Sequence, residues 1–423
     1  MNPETYSEEY NKLKNINSIK IIFLISIGIF IFKWLFSYYF FQDDISIKII
    51  FDSPSDGYFF YIYTEALSSL NFNNSYDPNI KNLQNLPLPF FATLISSVLL
   101  KLFGFYAILI TELLFIFLFL LIFFFIFRKL DFKRNFSILL ALTLLSIPTI
   151  INFFDLNSFQ YFNSLDNIFG LRFTRPLVVN NFLYIFILHL IYLDREKTFN
   201  FKNFIIFGLI LSFSFTSFYY FFILQIITLL IYLFSKFRLI YLIKLRNIQF
   251  YMVSLLVFLV ASGPFIYFLI TSEADYKERL YLMDIDINKK KILFDHLFDR
   301  LISLKFILVF LLITSLNIAN NMMQIKNANK INIFYFLFIA SILSPFMFIV
   351  LTSKVSLIYH FTNLTVLSIF YYLFFFIANF FNRFKKLQKN KVIISSIIFL
   401  IFFYNFNVYQ NFKVKKLDNN YTK

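Results

Sequence analysis

Cysteine is absent from the 423-residue chain. Without thiols there is no disulfide, no thiolate nucleophile and no cysteine-ligated metal, and the redox compartment leaves no mark on the sequence. Histidine is nearly as scarce: His189, His296 and His360 are the three, too far apart to give metal-ligand spacing. Charged residues make up only 15% of the chain, so acid–base chemistry has few places to sit. Six glycines and nine prolines are few for this length, and those present stand where backbone geometry asks for them. Gly57, Gly104, Gly170, Pro87, Pro89, Pro176 and Pro345 gain weight on this argument. No cleavable leader is expected, because the first apolar run, 19–41, is too long, carries Lys33 and lacks a small-residue cleavage site.

Apolar bulk is what the chain has in abundance: 59% of residues are hydrophobic and 23% aromatic, with 68 Phe. The excess of Phe, Ile, Asn and Lys reads as the codon bias of an AT-rich genome, so a cluster of Phe or Lys is not by itself a feature of design. Long apolar runs fall at 19–41, 105–127, 136–152, 177–193, 204–218, 219–234, 249–270, 302–318, 331–351, 359–381 and 391–409. The expected fold is an all-α polytopic membrane protein with about eleven transmembrane helices, each near the ~20 residues that a bilayer needs. A barrel would show short alternating strands instead of unbroken runs. No soluble domain or internal repeat interrupts the pattern, so 1–423 reads as a single transmembrane domain.

The run 88–103 is shorter, and charge parity decides its role. With the N-terminus in the cytoplasm and 88–103 not spanning, the basic connections at 128–134, 194–203, 235–247, 320–330 and 382–391 all lie inside. The acidic connections at 42–87 and 153–176, and the charged one at 272–301, then lie outside. This satisfies the positive-inside rule, whereas a spanning 88–103 inverts it. A re-entrant or interfacial helix, opened by Pro87-Leu88-Pro89 and closed at Gly104, is therefore expected. The net charge of +16 has the same origin, and nucleic acid is not an expected partner. Membrane lipids are.

Chemistry has to come from the polar connections. The first outer loop, 42–104, carries Asp43, Asp44, Asp52, Asp56, Glu65 and Asp77. Tyr58, Tyr61, Ile62 and Glu65 share one face of a helix that would start near Asp56. A carboxylate there, beside aromatics at the membrane edge, suits a general base or a metal ligand; a plain helix cap is the alternative. At the close of the second outer loop, Arg172 and Arg175 offer two planar forks for a phosphate, or two side chains reaching for lipid headgroups. The short stretch from Leu351 through Lys354 and Tyr359 to His360 is the third candidate, able to hold a phosphate leaving group. A helix-end lysine with an interfacial histidine is its plainer reading. The segment 272–301 reads as one or two short amphipathic helices at the outer interface. Within the spans, Lys33, Glu112 and Lys305 are the charges, and Glu112 is placed to pair with Lys33 or a loop arginine.

Asp56-Gly57-Tyr58-Phe59, followed by Tyr61, Thr64 and Leu67, resembles the first-loop motif of the GT-C glycosyltransferase superfamily, most nearly that of oligosaccharyltransferase catalytic subunits. Pro87-Leu88-Pro89-Phe90, an apolar helix and Lys101-Leu102-Phe103-Gly104 are similar to the juxtamembrane helix of lipid A aminoarabinose transferases and protein mannosyltransferases. The resemblance covers the chain up to the end of the second span.

It implies an inverting transferase in the inner (cytoplasmic) membrane of a bacterium, with its active site facing the periplasm or exterior. Such an enzyme takes sugar from a polyprenyl-phosphate carrier. Asp56, or the pair Asp43 and Asp44, would activate the acceptor or bind a divalent cation, for which Asp56 is the residue to consider. Arg172, Arg175, Lys354, Tyr359, His360, Tyr58 and Glu65 would bind substrate. The chain has no Trp-Trp-Asp motif and no large soluble C-terminal part, so peptide glycosylation of the oligosaccharyltransferase kind is not expected, and the acceptor can be a lipid, a glycan or a protein. A polysaccharide polymerase or ligase, drawing on 272–301, and a lipid-glycan transporter are the competing classes. The scarcity of glycine and midplane charge speaks against the transporter.

Overall fold

The computed structural model describes residues 16–33, 64–70, 90–154, 165, 168–169, 178–196, 200–237, 245–271, 286–322, 328–349, 355–382 and 390–414. Among them there is no strand. The helices, in chain order, are α1 (Ile16–Lys33), α2 (Phe90–Phe103), α3 (Ala107–Lys129), α4 (Arg134–Phe153), α5 (Val179–Glu196), α6 (Phe201–Ser217), α7 (Tyr219–Lys236), α8 (Leu245–Thr271), α9 (Ile287–Ile302), α10 (Leu304–Met322), α11 (Ala328–Ile349), α12 (Val355–Phe381) and α13 (Asn390–Val414). Residues 64–68 add one helical turn.

Each apolar run expected to span overlaps a helix in the described residues, the first of them over 19–33. Eight of these helices, α1, α3, α4, α7, α8, α10, α11 and α12, contain stretches long and apolar enough to cross a bilayer. Apolar stretches in α2, α5, α6 and α13 are shorter. The chain is thus an all-α, multi-pass membrane protein, the solution a bilayer imposes because helices satisfy their own backbone hydrogen bonds.

Local chemistry sets several boundaries. α2 is 14 residues long, which at ~1.5 Å per residue gives about 21 Å against a hydrocarbon core of ~30 Å. It stops at Gly104, whose φ of +57° is the left-handed geometry that glycine adopts without strain, and a 3-10 turn, Gly104–Tyr106, follows. Asn200 caps α6, its side chain accepting from the Asn203 N–H at 2.8 Å. The continuous apolar stretch 201–236 breaks at Phe218, where φ −154° and ψ 83° end one helix and begin another.

The chain divides into two compact units. Unit 1 takes its described residues from 1–69, 95–181 and 384–423, and unit 2 from 70–94 and 182–383. In unit 1, α3 packs on α4 and α4 on α13. In unit 2, α6 packs on α7 and α8, while α11 packs on α7, α9, α10 and α12.

The contact between α6 and α8 is close. A Cβ at Gly208 would lie 2.5 Å from the Ser254 carbonyl oxygen and 2.9 Å from Val257 Cβ. One turn on, the Ser262 hydroxyl donates to Ser212 Oγ at 2.8 Å. Small residues that admit a neighbouring backbone, joined by a hydroxyl pair, are how helices adhere where lipid offers no hydrophobic drive.

The helices of unit 2 alternate in direction. At one end the close of α6, the start of α7, the close of α11 and the start of α12 meet through Phe218, Tyr220, Phe348 and His360. At the other end Lys236 pairs with Asp194 at 3.2 Å, and the Asn332 amide donates to Asn321 Oδ1 at 3.1 Å.

Candidate functional site

The His360 end of unit 2 is built from rings. Tyr219 and Tyr220 lie stacked with centroids 4.2 Å apart, and the Tyr219 hydroxyl donates to that of Tyr220 at 2.7 Å. Tyr219 also stacks on Phe348 at 5.4 Å, and Tyr220 meets Phe361 edge-on at 5.0 Å. The His360 imidazole sits 4.7 Å from the Tyr220 ring and 5.9 Å from Phe218. The break at Phe218 makes this possible, because it turns the chain so that two adjacent tyrosines open α7 at the bundle end. One turn of α12 beyond Tyr359, the exposed Arg300 at the close of α9 donates to Thr362 Oγ1 at 3.1 Å. A half-buried imidazole, stacked tyrosines and a guanidinium thus share one end of the unit. Ring faces and a planar cation together suit a headgroup that carries both a ring and a phosphate.

The start of α2 belongs to the same end. The Ala92 N–H donates to Ser217 Oγ at 3.1 Å, next to Phe218. Phe90 stacks on Phe265 at 6.3 Å, and Phe91 packs on Phe213 at 4.4 Å. Phe182 at the start of α5 also reaches Phe213, at 5.7 Å. The start of α2 therefore lies next to Phe218, whose ring meets His360.

Unit 1 holds a different polar cluster. Lys33 Nζ of α1 forms an ion pair with Glu112 Oε1 of α3, and both side chains are almost fully buried, at 1% and 5% exposure. Tyr404 of α13, also buried, lies within electrostatic reach of Glu112. The pairing of Glu112 with Lys33 was one of two expected from the sequence, and it is the one formed. An open groove of about 550 Å³ runs between α4 and α13 past Leu140, Thr143, Ser396 and Phe399. Its hydroxyls are turned onto their own helices, Thr143 to the Leu139 carbonyl at 2.9 Å and Ser396 to that of Val392 at 2.9 Å. The wall it presents is apolar, suited to a hydrocarbon chain and not to chemistry.

Of the expected site residues, His360 and Glu65 are described with their side chains. Glu65 is partly exposed on the turn 64–68, and its carbonyl accepts from Ser68 Oγ at 2.7 Å and Ser69 N–H at 3.1 Å before Leu70 turns to φ +53°. Tyr359 falls within α12, its side chain outside the described residues. Asp43, Asp44, Asp56, Tyr58, Arg172, Arg175 and Lys354 lie outside the described residues. Residues that sequence reasoning missed are Arg300, Thr362, Tyr219 and Tyr220. The double tyrosine at a helix start was visible as a pattern, but the Arg300–Thr362 contact joins residues 62 apart and had no local signal.

His189 is a satisfied core histidine: its Nε2 is 3.0 Å from the Asn203 carbonyl oxygen, and its ring meets Phe207 edge-on at 4.4 Å. His296 is exposed on α9. Among the described residues no group of three or more His, Asp or Glu side chains is placed to hold a metal ion. Asp56, to which the expectation of a cation attaches, is not one of them. Comparison with known proteins finds no family model, no curated protein and no solved structure that matches the chain.

Proposed function

We propose that the protein is an inverting membrane glycosyltransferase of the GT-C kind, which moves a sugar from a polyprenyl-phosphate carrier to a lipid, glycan or protein acceptor at the outer face of a bacterial inner membrane. Eleven helices cross the bilayer in this reading, and α2 lies at the interface. The observation that carries the proposal is the position of the start of α2. The loop with the Asp56-Gly57-Tyr58-Phe59 motif leads into a short helix whose Ala92 is tied to Ser217, at the end of unit 2 that also holds His360 and Arg300. The opposite end is joined by connections rich in Lys and Arg, such as Arg383, Lys385 and Lys386, and by the positive-inside rule this supports an outward-facing His360 end.

The chemistry then runs as follows. An acceptor hydroxyl attacks the sugar's anomeric carbon from the face opposite the phosphate, and Asp56 takes its proton. The bond from that carbon to the phosphate oxygen breaks, and the carrier leaves as polyprenyl phosphate. Arg300 and His360, with Arg172, Arg175 and Lys354 from the neighbouring loops, hold the phosphate as its charge grows, while Tyr219 offers a ring face to the sugar. Asp43 or Asp44 takes the base role if Asp56 only caps its helix.

The test is transfer by purified protein from a polyprenyl-phosphate sugar in vesicles. Asp56→Asn keeps shape and cap while removing the charge, and activity should fall about 10²–10⁴-fold, the range for loss of a general base. Full activity with Asp56, Asp43 and Asp44 all amidated sinks the transferase reading. A polymerase is the second reading, favoured by the late segment 286–302 bringing Arg300 to Thr362 near the start of α12. It predicts products that lengthen with time instead of a single addition.

A further inference from the structure

α9 is the least apolar of the helices and the most two-sided. Its sequence, Ile287-Asn288-Lys289-Lys290-Lys291-Ile292-Leu293-Phe294-Asp295-His296-Leu297-Phe298-Asp299-Arg300-Leu301-Ile302, places Leu293, Leu297, Phe294, Phe298 and Ile302 along one arc of a helix turning 100° per residue; Lys290 and Lys291 of the first turns fall at the same angles, with stems long enough to carry their charges out to headgroups. Only one edge of that arc is used within the unit. Leu293 and Leu297 are buried against Ile349, with Phe346 alongside. Phe294 meets Phe346 edge-on at 5.6 Å yet stays 48% exposed; Phe298, stacked on it at 6.2 Å, and Ile302 are 49% and 54% exposed. Asp295, His296 and Asp299 occupy the other side, all exposed.

The position of the helix says what covers the arc. Ser303 alone separates α9 from α10, and α10 is one of the helices long and apolar enough to cross the bilayer. At Ser303 the backbone leaves helical geometry, φ −55° and ψ 133°, so α9 departs from the direction of α10 at its very end. A helix so joined is at the depth where the span meets water. Its seven charged side chains, Lys289, Lys290, Lys291, Asp295, Asp299, Arg300 and the capping Asp286, bar it from the hydrocarbon core. An apolar arc beside a charged one, held at that depth, is the form of a helix lying in the membrane plane.

We propose that α9 is an interfacial helix whose partner is the bilayer surface, with Phe294, Phe298 and Ile302 sunk among the acyl chains and Lys289, Lys290 and Lys291 facing anionic headgroups. This goes beyond the transferase reading and does not depend on it. The helix anchors the Arg300 end of unit 2 at the level of lipid phosphates.

The natural absence of cysteine makes the test clean. Phe298→Cys and, separately, Ile302→Cys and Asp295→Cys are labelled with a polarity-sensitive fluorophore and reconstituted in vesicles of neutral phospholipid or of a neutral and anionic mixture. Labels at 298 and 302 should emit at shorter wavelength and be quenched by lipids carrying a quencher near the glycerol level. The label at 295 should instead be quenched by aqueous iodide. In vesicles with anionic lipid, lipid quenching at 298 should increase, and Lys289→Gln, Lys290→Gln, Lys291→Gln together should remove that increase. Iodide quenching of 298 and 302 without lipid quenching overturns the proposal. So does a blue shift that fades when the protein is diluted in lipid, since that marks a second copy as the cover. Insensitivity to lipid charge in the unmutated helix overturns the headgroup assignment.

Discussion

Lys33–Glu112 in unit 1 and the Arg300–His360 end of unit 2 are both polar clusters in an apolar protein, yet burial separates them. The first is closed on itself, its two charges almost wholly removed from solvent. The second is open, with Arg300 exposed and His360 half-buried among tyrosines. A buried pair has spent its charge on its partner and gains specificity of packing. An open cation keeps its charge for a ligand. On the transferase reading, that difference separates scaffold from recognition surface.

The sharpest way to break the comparison is to open the closed cluster. Glu112→Gln or Lys33→Met leaves one charge buried without its counter-ion, a loss of about 3–5 kcal/mol where such pairs have been broken. Thermal unfolding in detergent should show a large drop for either single variant. The double replacement Lys33→Met with Glu112→Leu should recover most of it, because two apolar side chains of similar volume suit this site. Equal stability of the single variants and the parent would mean that the pair is not the scaffold element described above.

That pair also marks how far the sequence could be read. Lys33 and Glu112 stand out as charges within apolar runs, and in a bilayer they need partners, so their pairing was legible. Helix positions were legible for the same reason, since a membrane leaves a chain few alternatives. The 14-residue α2 and its stop at Gly104 followed from Pro87, Pro89 and a scarce glycine. What was not legible is tertiary. Gly208 looks like any glycine in a span until the backbone of Ser254 is seen 2.5 Å from its would-be Cβ. Arg300 sits in a charge run that reads as a solvated face, and only the packing of α9 on α11 brings it to Thr362. The eight long helices leave the count of eleven resting on α5, α6 and α13, whose apolar stretches are shorter.

The open cluster should respond to substitution in the opposite way. Arg300→Ala and His360→Phe are expected to leave unfolding within ~0.5 kcal/mol of the parent, as surface changes usually do. Binding of a polyprenyl-phosphate sugar should weaken, with Arg300→Ala costing about 1.5–3 kcal/mol, the worth of a charge-assisted hydrogen bond. Arg300→Lys should restore part of this, because the charge returns but the planar fork does not. Titration of the lipid-linked sugar into protein in nanodiscs measures it. A variant that melts early yet binds normally would assign this end to packing.

The smallest expected effect sharpens the open side further and concerns the cap that starts α9. Asp286 accepts from the Asn288 N–H at 3.0 Å and the Lys289 N–H at 3.3 Å, and its other oxygen pairs with Lys289 Nζ at 3.3 Å. The backbone hydrogen bond from Lys289, with smaller help from that side chain and from Asn288, holds this carboxyl below the usual carboxylate range. A carboxyl depressed in the folded state favours folding above the unfolded value, near 3.9, and that advantage fades as pH falls through the folded value. The cap should therefore hold α9 at neutral pH and loosen in acid below about pH 4. Hydrogen exchange of the amides 288–292, compared between the parent and Asp286→Ala, reads this directly. The alanine variant should exchange faster at pH 6, and the gap should narrow at pH 3. Asp286→Asn, which keeps the cap but not the charge, should lie between the two at pH 6 and change little with pH. A gap between parent and alanine that is as wide at pH 3 as at pH 6 would show that the charge on Asp286 contributes nothing to the start of the helix, and that shape alone caps it.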